Sequence, residues 1–316
     1  MRRATPFSLN VGGVPASLMM VLAAFFFATM GMAVKLASAY YSTAEVVMYR
    51  GLTGMLLIAA LSRWRGESLR TGVPLMHLTR GLAGVTSLCL WFYAISGLPL
   101  ATAMTFNYMS SIWMALFLVG GAVLWGSTRA EMRVDPRLVV AILIGFAGVA
   151  AILRPTIERE QAWYGLMGLF SGVIAAMAYL QVTALGRVGE PEARVVFYFS
   201  TASAIAGLLL TLATGGLHAH SLRGVLCLLG VGVPATLAQL LLTRAYAIGK
   251  PLVNASLQYL GIVFSVAYGA WVFGDRVTPL TLVGIALVVF SGLAAARLRQ
   301  VAYPQPVPSQ PPDLSS

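Results

Sequence analysis

Tyr93-Ala94-Ile95-Ser96-Gly97-Leu98-Pro99-Leu100-Ala101-Thr102-Ala103 opens a stretch that runs to Trp125-Gly126-Ser127, and the chain carries it twice. The second copy starts at Tyr246-Ala247-Ile248, passes through Asn254-Ala255-Ser256 and ends at Phe273-Gly274-Asp275. Each copy is a nearly uncharged apolar segment with a polar–aromatic pair near its middle, Asn107-Tyr108 in the first and Gln258-Tyr259 in the second. Such segments are long enough to span a bilayer, where a side-chain amide is costly unless it faces protein or water. Two of them at matching places in a duplicated chain predict a two-fold-related site at mid-membrane depth.

The whole chain has this character. Of its 316 residues 59% are hydrophobic and 10% charged, with a mean hydropathy of +0.83. A soluble domain carries about 25% charge. The composition therefore predicts an all-α integral membrane protein embedded in the lipid bilayer. The net charge of +11 has the sign of a nucleic-acid binder. Its basic residues are scattered over short connections, so no nucleic acid is expected as a partner, and a cytoplasmic Lys/Arg excess accounts for the charge. Cys89 and Cys227 both fall in apolar segments and read as small buried hydrophobes, not as a disulfide or a metal site. Met1-Arg2-Arg3 before an apolar run from Ala16 resembles a signal peptide. The run continues to about Val34 and more apolar segments follow, which favours an uncleaved first helix.

Apolar segments of spanning length fall at 16–36, 44–62, 78–96, 100–124, 136–153, 164–185, 194–213, 222–243, 252–273 and 278–297, so ten transmembrane helices are expected. With the N-terminus inside, the inner segments hold fifteen Lys and Arg, from Arg2 and Arg3 through Arg80, Arg129 and Lys250 to Arg299. The outer segments hold five: Lys35, Arg154, Arg159, Arg223 and Arg276. That bias places both termini in the cytoplasm. Residues 1–15 form a cytoplasmic N-terminal segment, and the tail 298–316, with Pro304, Pro306, Pro308, Pro311 and Pro312, reads as disordered and cytoplasmic.

A repeat covers most of the rest. Leu18-Met19 matches Leu166-Met167, Ala44-Glu45-Val46-Val47-Met48-Tyr49 matches Ala193-Arg194-Val195-Val196-Phe197-Tyr198, and Phe146-Ala147-Gly148 matches Phe290-Ser291-Gly292. The units are 16–153 and 163–297. Five helices per unit is an odd number, which makes the second unit enter from the opposite side, so the repeats are inverted.

These residues resemble the EamA family of the drug/metabolite transporter superfamily. The resemblance is carried by the five-plus-five helices, Arg80-Gly81 opening the third, Leu98-Pro99-Leu100-Ala101-Thr102-Ala103 leading into the fourth, Arg154-Pro155, and Gly274-Asp275 after the ninth. It covers about residues 16–297. It implies small-metabolite transport across a bacterial inner membrane, often export of amino acids or related compounds, through a central cavity lined mainly by helices 1, 3, 4, 6, 8 and 9. The family often has Gly-Glu after helices 4 and 9. Here those positions read Gly126-Ser127 and Gly274-Asp275, so no role carries over from that glutamate.

The candidate substrate-cavity residues are Asn107, Tyr108, Gln258, Tyr259, Gln239, Tyr179 and Trp113. Amide and phenol groups at depth either bind a solute or glue helices together, and the cavity reading is preferred for the two pairs. Thr236, Gln239 and Thr243 share one helix face, which is either a cavity wall or a helix interface. Gln181 and Tyr179 lie two apart and cannot share a face, and Tyr179 is favoured. Trp113 walls the cavity or faces lipid, and Trp91 reads as an interfacial belt residue. Arg50 is the one strong charge well inside a span, ~9 Å below the outer boundary. It snorkels, pairs with Glu45, or contacts a substrate anion near the outer mouth. Gly168-Leu169-Phe170-Ser171-Gly172 marks either a dimer face or, the better reading, close packing within one protomer, so a monomer or homodimer is expected. No cofactor is expected, since no βαβ unit surrounds Gly145 and Gly148.

Amides and aromatics suit an amino-acid-like, nucleoside-like or adenosyl solute as the small-molecule partner. An intramembrane enzyme would need a nucleophile, acid–base pair or metal cluster at depth, and no catalytic residue of that kind stands out. A sensor or assembly subunit would be expected to carry a soluble partner domain or a long loop. No Asp, Glu or His lies in the middle of any predicted span, which favours a facilitator over a proton-coupled carrier. Transport by the purified protein in liposomes is accordingly expected to persist when a pH gradient is collapsed, and strict dependence on that gradient would overturn the facilitator reading.

Overall fold

A computed structural model describes residues 14–114, 116–117, 137, 140, 143–145, 147–148, 151, 161–249, 253–254 and 257–300. The expectations for 1–13, for 301–316, for Trp125-Gly126-Ser127 and for most of the fifth span lie outside the described residues. The described part contains α1 (Ala16–Ala37), α2 (Thr43–Arg65), α3 (Pro74–Gly97), α4 (Leu100–Tyr108), α5 (Ala162–Arg187), α6 (Glu192–Ala213), α7 (Leu222–Ile248), α8 (Leu260–Val272) and α9 (Pro279–Gln300). Six of these, α1, α2, α3, α5, α6 and α7, are long and apolar enough to cross a membrane.

The ends carry ordinary helix chemistry. Ser42 and Glu45 form a reciprocal capping box on α2: Ser42 Oγ accepts from the Glu45 amide at 3.3 Å and Glu45 Oε2 accepts from the Ser42 amide at 2.9 Å. Gly66, at φ 70°, closes the same helix in the left-handed region. Pro74 opens α3, where its missing N–H costs nothing. Two helices run a turn or less past the apolar segments that mark them, to Arg65 and Arg187, and another runs further, to Ile248.

Two spans depart from the expectation of continuous helix. The fourth is interrupted at Met109, where the amide of Ile112 returns to the Met109 carbonyl at 2.9 Å. The ninth is interrupted at Gln258-Tyr259, where Gly261 and Ile262 donate to their carbonyls at 2.8 and 3.0 Å. Each interruption tightens the helix to i→i+3 bonds at the polar–aromatic pair.

The helices pack with their apolar faces turned outward to lipid. Leu82, Leu209 and Trp271 are 63, 63 and 87% exposed, while Glu45, Arg50 and Gln258 are buried. Such a reversal is stable only where hydrocarbon covers the outside. The main packing pairs are α2 with α6, α1 with α7, and α3 with α5. Weaker contacts join α2 to α7, α3 to α6, α1 to α8, α4 to α5 and α4 to α8. Exchanging α1–α4 for α5–α8 turns this set of pairs into itself.

Small residues set the distances. A Cβ on Gly51 would run into the backbone of Ser200 and Ala204 on α6, and one on Gly207 would run into the backbone of Met48 on α2. Gly168 and Gly172 meet Phe106 of α4, so the GxxxG pattern packs within the chain. With no free space at α2–α6, Gly51→Ala is expected to cost about 1–3 kcal/mol, read as a lower unfolding midpoint. Gly72→Ala, at a site with open space, is expected to stay within about 0.5 kcal/mol. Equal midpoints for the two variants would contradict the close α2–α6 approach.

Candidate functional site

Three helices converge on one phenyl ring. Arg50 of α2 and Arg80 of α3 place their guanidinium carbons 4.8 and 4.2 Å from the ring centroid of Phe199 on α6. Glycines make the convergence possible. Gly51 brings α2 onto α6, Gly81 meets Ala202, and the Arg80 side chain lies across Gly84, where an added Cβ would overlap its Nη1 and approach Phe199 Cε2 to 2.8 Å. Both arginines are 3% exposed, and Nε and Nη1 of each are buried without a hydrogen-bond partner. The aromatic face attracts both cations but takes no hydrogen bond from those nitrogens.

Described carboxylates do not balance them. Glu45 accepts from the amide of His218 at 2.7 Å and contacts its Nδ1 at 2.6 Å. Glu190 meets His77 at 3.1 Å and Arg194 at 3.7 Å, and Glu192 meets Arg244 at 2.6 Å. Asp275 lies at the far end of α8 beside Lys35, and Glu67 is in the α2–α3 connection. Among the described acids, Glu45, Glu190 and Glu192 thus have partners near helix ends, and two guanidiniums share the middle. An ion taken out of water costs several kcal/mol unless hydrogen bonds or a counter-charge compensate it.

Beside the arginines lies a polar aromatic wall. The Tyr179 and Tyr246 rings stack at 5.5 Å and 10°. Gln258 Nε2 donates to the Tyr246 hydroxyl at 3.4 Å, and the Gln258 side chain also engages Tyr179. Tyr179 is an electrostatic neighbour of Arg50, Arg80 and Tyr108. It keeps part of its surface accessible although it sits inside the bundle, as a side chain lining an internal space does. Tyr108 is fully buried, lies against Gly261 and has an unpartnered hydroxyl, and Tyr259 meets Ser111. A separate groove of about 720 Å³ between α3 and α6, walled by Leu78, Leu82, Ile205 and Leu209, is apolar and offers no such set of polar groups.

The sequence-derived residues are thus divided. Tyr108, Tyr179, Gln258 and Tyr259 come together. Asn107 does not join them as a free group: its Nδ2 donates to Ser171 Oγ at 3.2 Å, tying α4 to α5. Gln239 is buried on α7 with Nε2 unpartnered. Thr236 bonds the Gly232 carbonyl at 2.8 Å and abuts Gly54 and Ser200, which makes it an interface residue. Trp113 is half-buried with its indole nitrogen buried and unpartnered.

Three expectations are corrected. Arg50 neither snorkels to the surface nor pairs with Glu45; it turns inward to Phe199, because Glu45 is occupied by the cap and His218. Arg80, counted with the inner connections, is buried on α3 at the same ring. Trp91 is no belt residue: at 5% exposure it packs edge-on against Phe27 at 6.4 Å. A sequence signal for the arginine pair exists. Arg50-Gly51-Leu52-Thr53-Gly54 and Arg80-Gly81-Leu82-Ala83-Gly84 repeat one pattern, in which a glycine follows the arginine directly and another lies four residues on, on the arginine's helix face.

Residues 14–154 match the EamA-like transporter family. The pseudopaline exporter CntI of Pseudomonas aeruginosa is 34% identical over 285 residues, covering 90% of this chain and 96% of the exporter. An uncharacterized transporter of Helicobacter pylori is 27% identical over 88% of this chain and 93% of its own length. An S-adenosylmethionine uptake transporter of Rickettsia conorii is 22% identical over 78% of this chain and 80% of its own length. A solved crystal structure superposes with a TM-score of 0.71 at 20% identity, covering 90% of this chain and 97% of that one, so the fold is shared. With its membrane-length helices and these relatives, the chain is a multi-pass bacterial inner-membrane protein and belongs to the EamA-like transporter family.

Proposed function

We propose that this chain moves a small metabolite across the inner membrane by alternating access, with the solute held where Tyr179, Tyr246 and Gln258 meet the arginine pair. The observation that carries the reading is this cluster of buried, partly unsatisfied donors and aromatic faces at the centre of a lipid-facing bundle. Ionisable groups at membrane depth face the bundle interior or a cavity and commonly mark solute pathways. Tyr108, Tyr259, Gln239 and Trp113 complete the walls, and Asn107 serves the packing of α4 on α5.

A ten-span, inverted-repeat arrangement with both termini cytoplasmic is part of the proposal. It is supported by the packing pairs that exchange between halves and by the matching interruptions at Met109 and Gln258-Tyr259. Discontinuous helices at corresponding places of two halves are how many carriers build a mid-membrane site. Export is the proposed direction, on the identity to the pseudopaline exporter over most of both chains.

The test is a thermal-shift series on purified protein with amino acids, nucleosides and adenosyl compounds, paired with solute movement in proteoliposomes. A solute that binds only the folded state raises its midpoint. Gln258→Ala is expected to weaken that shift about tenfold in apparent affinity. Asn107→Ala is expected to keep the shift while lowering the solute-free midpoint by about 1 kcal/mol. A shift unchanged by Gln258→Ala and abolished by Asn107→Ala would reverse these two assignments.

A further inference from the structure

We infer that Arg50 and Arg80 form a two-guanidinium subsite for a solute that carries at least two carboxylates. The inference rests on the transport reading for its role and names the class of solute that the same centre takes.

The first observation is the pairing itself. Two cations from different helices share one phenyl ring, at 4.8 and 4.2 Å, in the interior of the bundle. Like charges placed side by side repel, and burial strengthens the repulsion. Arg50 stands on α2 nearer the capped end at Ser42, and Arg80 on α3 nearer Pro74. Each side chain reaches along its helix toward Phe199 when a snorkelling arginine would reach for the surface.

The second observation is that no carboxylate among the described residues forms an ion pair with either arginine. Glu45, Glu190 and Glu192 are engaged at helix ends, and Asp275 lies beside Lys35. Among the described residues, the Phe199 face and the Tyr179 side chain are the aromatic neighbours of the arginines. Nε and Nη1 of both guanidiniums remain unpartnered. A buried arginine without a carboxylate is stable when something else brings the negative charge, and a carrier has such a visitor in its solute.

The third observation concerns number and shape. A guanidinium offers a planar fork that matches one carboxylate in a bidentate pair. Two forks held by a common ring call for two carboxylates, and a monocarboxylate would leave one cation unmatched. The Tyr179–Tyr246 stack and Gln258 amide beside them give the solute a flat wall and polar contacts for its uncharged part.

The experiment uses the purified full-length chain, unfolded thermally in butyrate, succinate, adipate, citrate or orthophosphate at one ionic strength. Succinate, adipate or citrate is expected to raise the midpoint and butyrate is not. Arg50→Gln and Arg80→Gln are each expected to weaken that binding about 10- to 100-fold. Arg80→Lys, which keeps the charge and loses the fork, should fall between wild type and Arg80→Gln. The inference is overturned if no di- or tricarboxylate stabilises the wild type above butyrate. It is also overturned if both Gln variants keep the shift, or if orthophosphate alone produces one. Should the Gln variants not purify as folded protein, the wild-type series and Arg80→Lys still decide. Carboxylate binding that needs both arginines without any solute movement in proteoliposomes would refute transport and leave the subsite standing. Movement of a neutral amino acid or nucleoside that is indifferent to Arg50→Gln, with no carboxylate binding, would refute the subsite and leave transport standing.

Discussion

At the middle of the bundle two helix backbones touch, and much else depends on that contact. Gly51 of α2 lies on Ser200 and Ala204 of α6, and Gly207 of α6 lies on Met48 of α2. Lipid supplies no hydrophobic drive between helices, so close packing of small residues must hold such a pair. With α2 and α6 in contact, Phe199 is delivered to the position where Arg50 can reach it. Gly81 and Gly84 bring α3 to the same place, and Arg80 with it.

The charge distribution follows from what each depth tolerates. The described acids lie at helix ends, where Glu45 caps α2 and holds His218, and where Glu190 and Glu192 hold His77, Arg194 and Arg244. Among the described residues, the middle holds Arg50 and Arg80 beside Tyr108, Tyr179, Tyr246, Tyr259 and the Gln258 amide. The aromatic face of Phe199 attracts both cations without supplying a counter-charge. Among the described residues, the two buried guanidiniums thus have no carboxylate partner.

How legible this was depends on the residue. The membrane-length helices could be read because bilayer thickness and apolar runs are local properties. The pairs Asn107-Tyr108 and Gln258-Tyr259 were visible as rare polar groups in apolar spans, yet their fates differ: Gln258 joins the centre, and Asn107 is taken by Ser171. Arg80 was misread because a charge near a span's start looks the same in sequence whether it faces water or bends inward. Trp91 was misread for the same reason: depth along a helix says nothing about which side the ring faces.

The sequence by itself determined a membrane-embedded helical chain and its likeness to a transporter family. Both rest on hydropathy and order along the chain. Only the tertiary structure decided that Arg50 and Arg80, thirty positions apart and seemingly bound for different ends, meet at one ring. That meeting requires three helices to approach within the reach of a side chain. The approach is set by glycine contacts between distant segments, and no local pattern states which glycine meets which backbone.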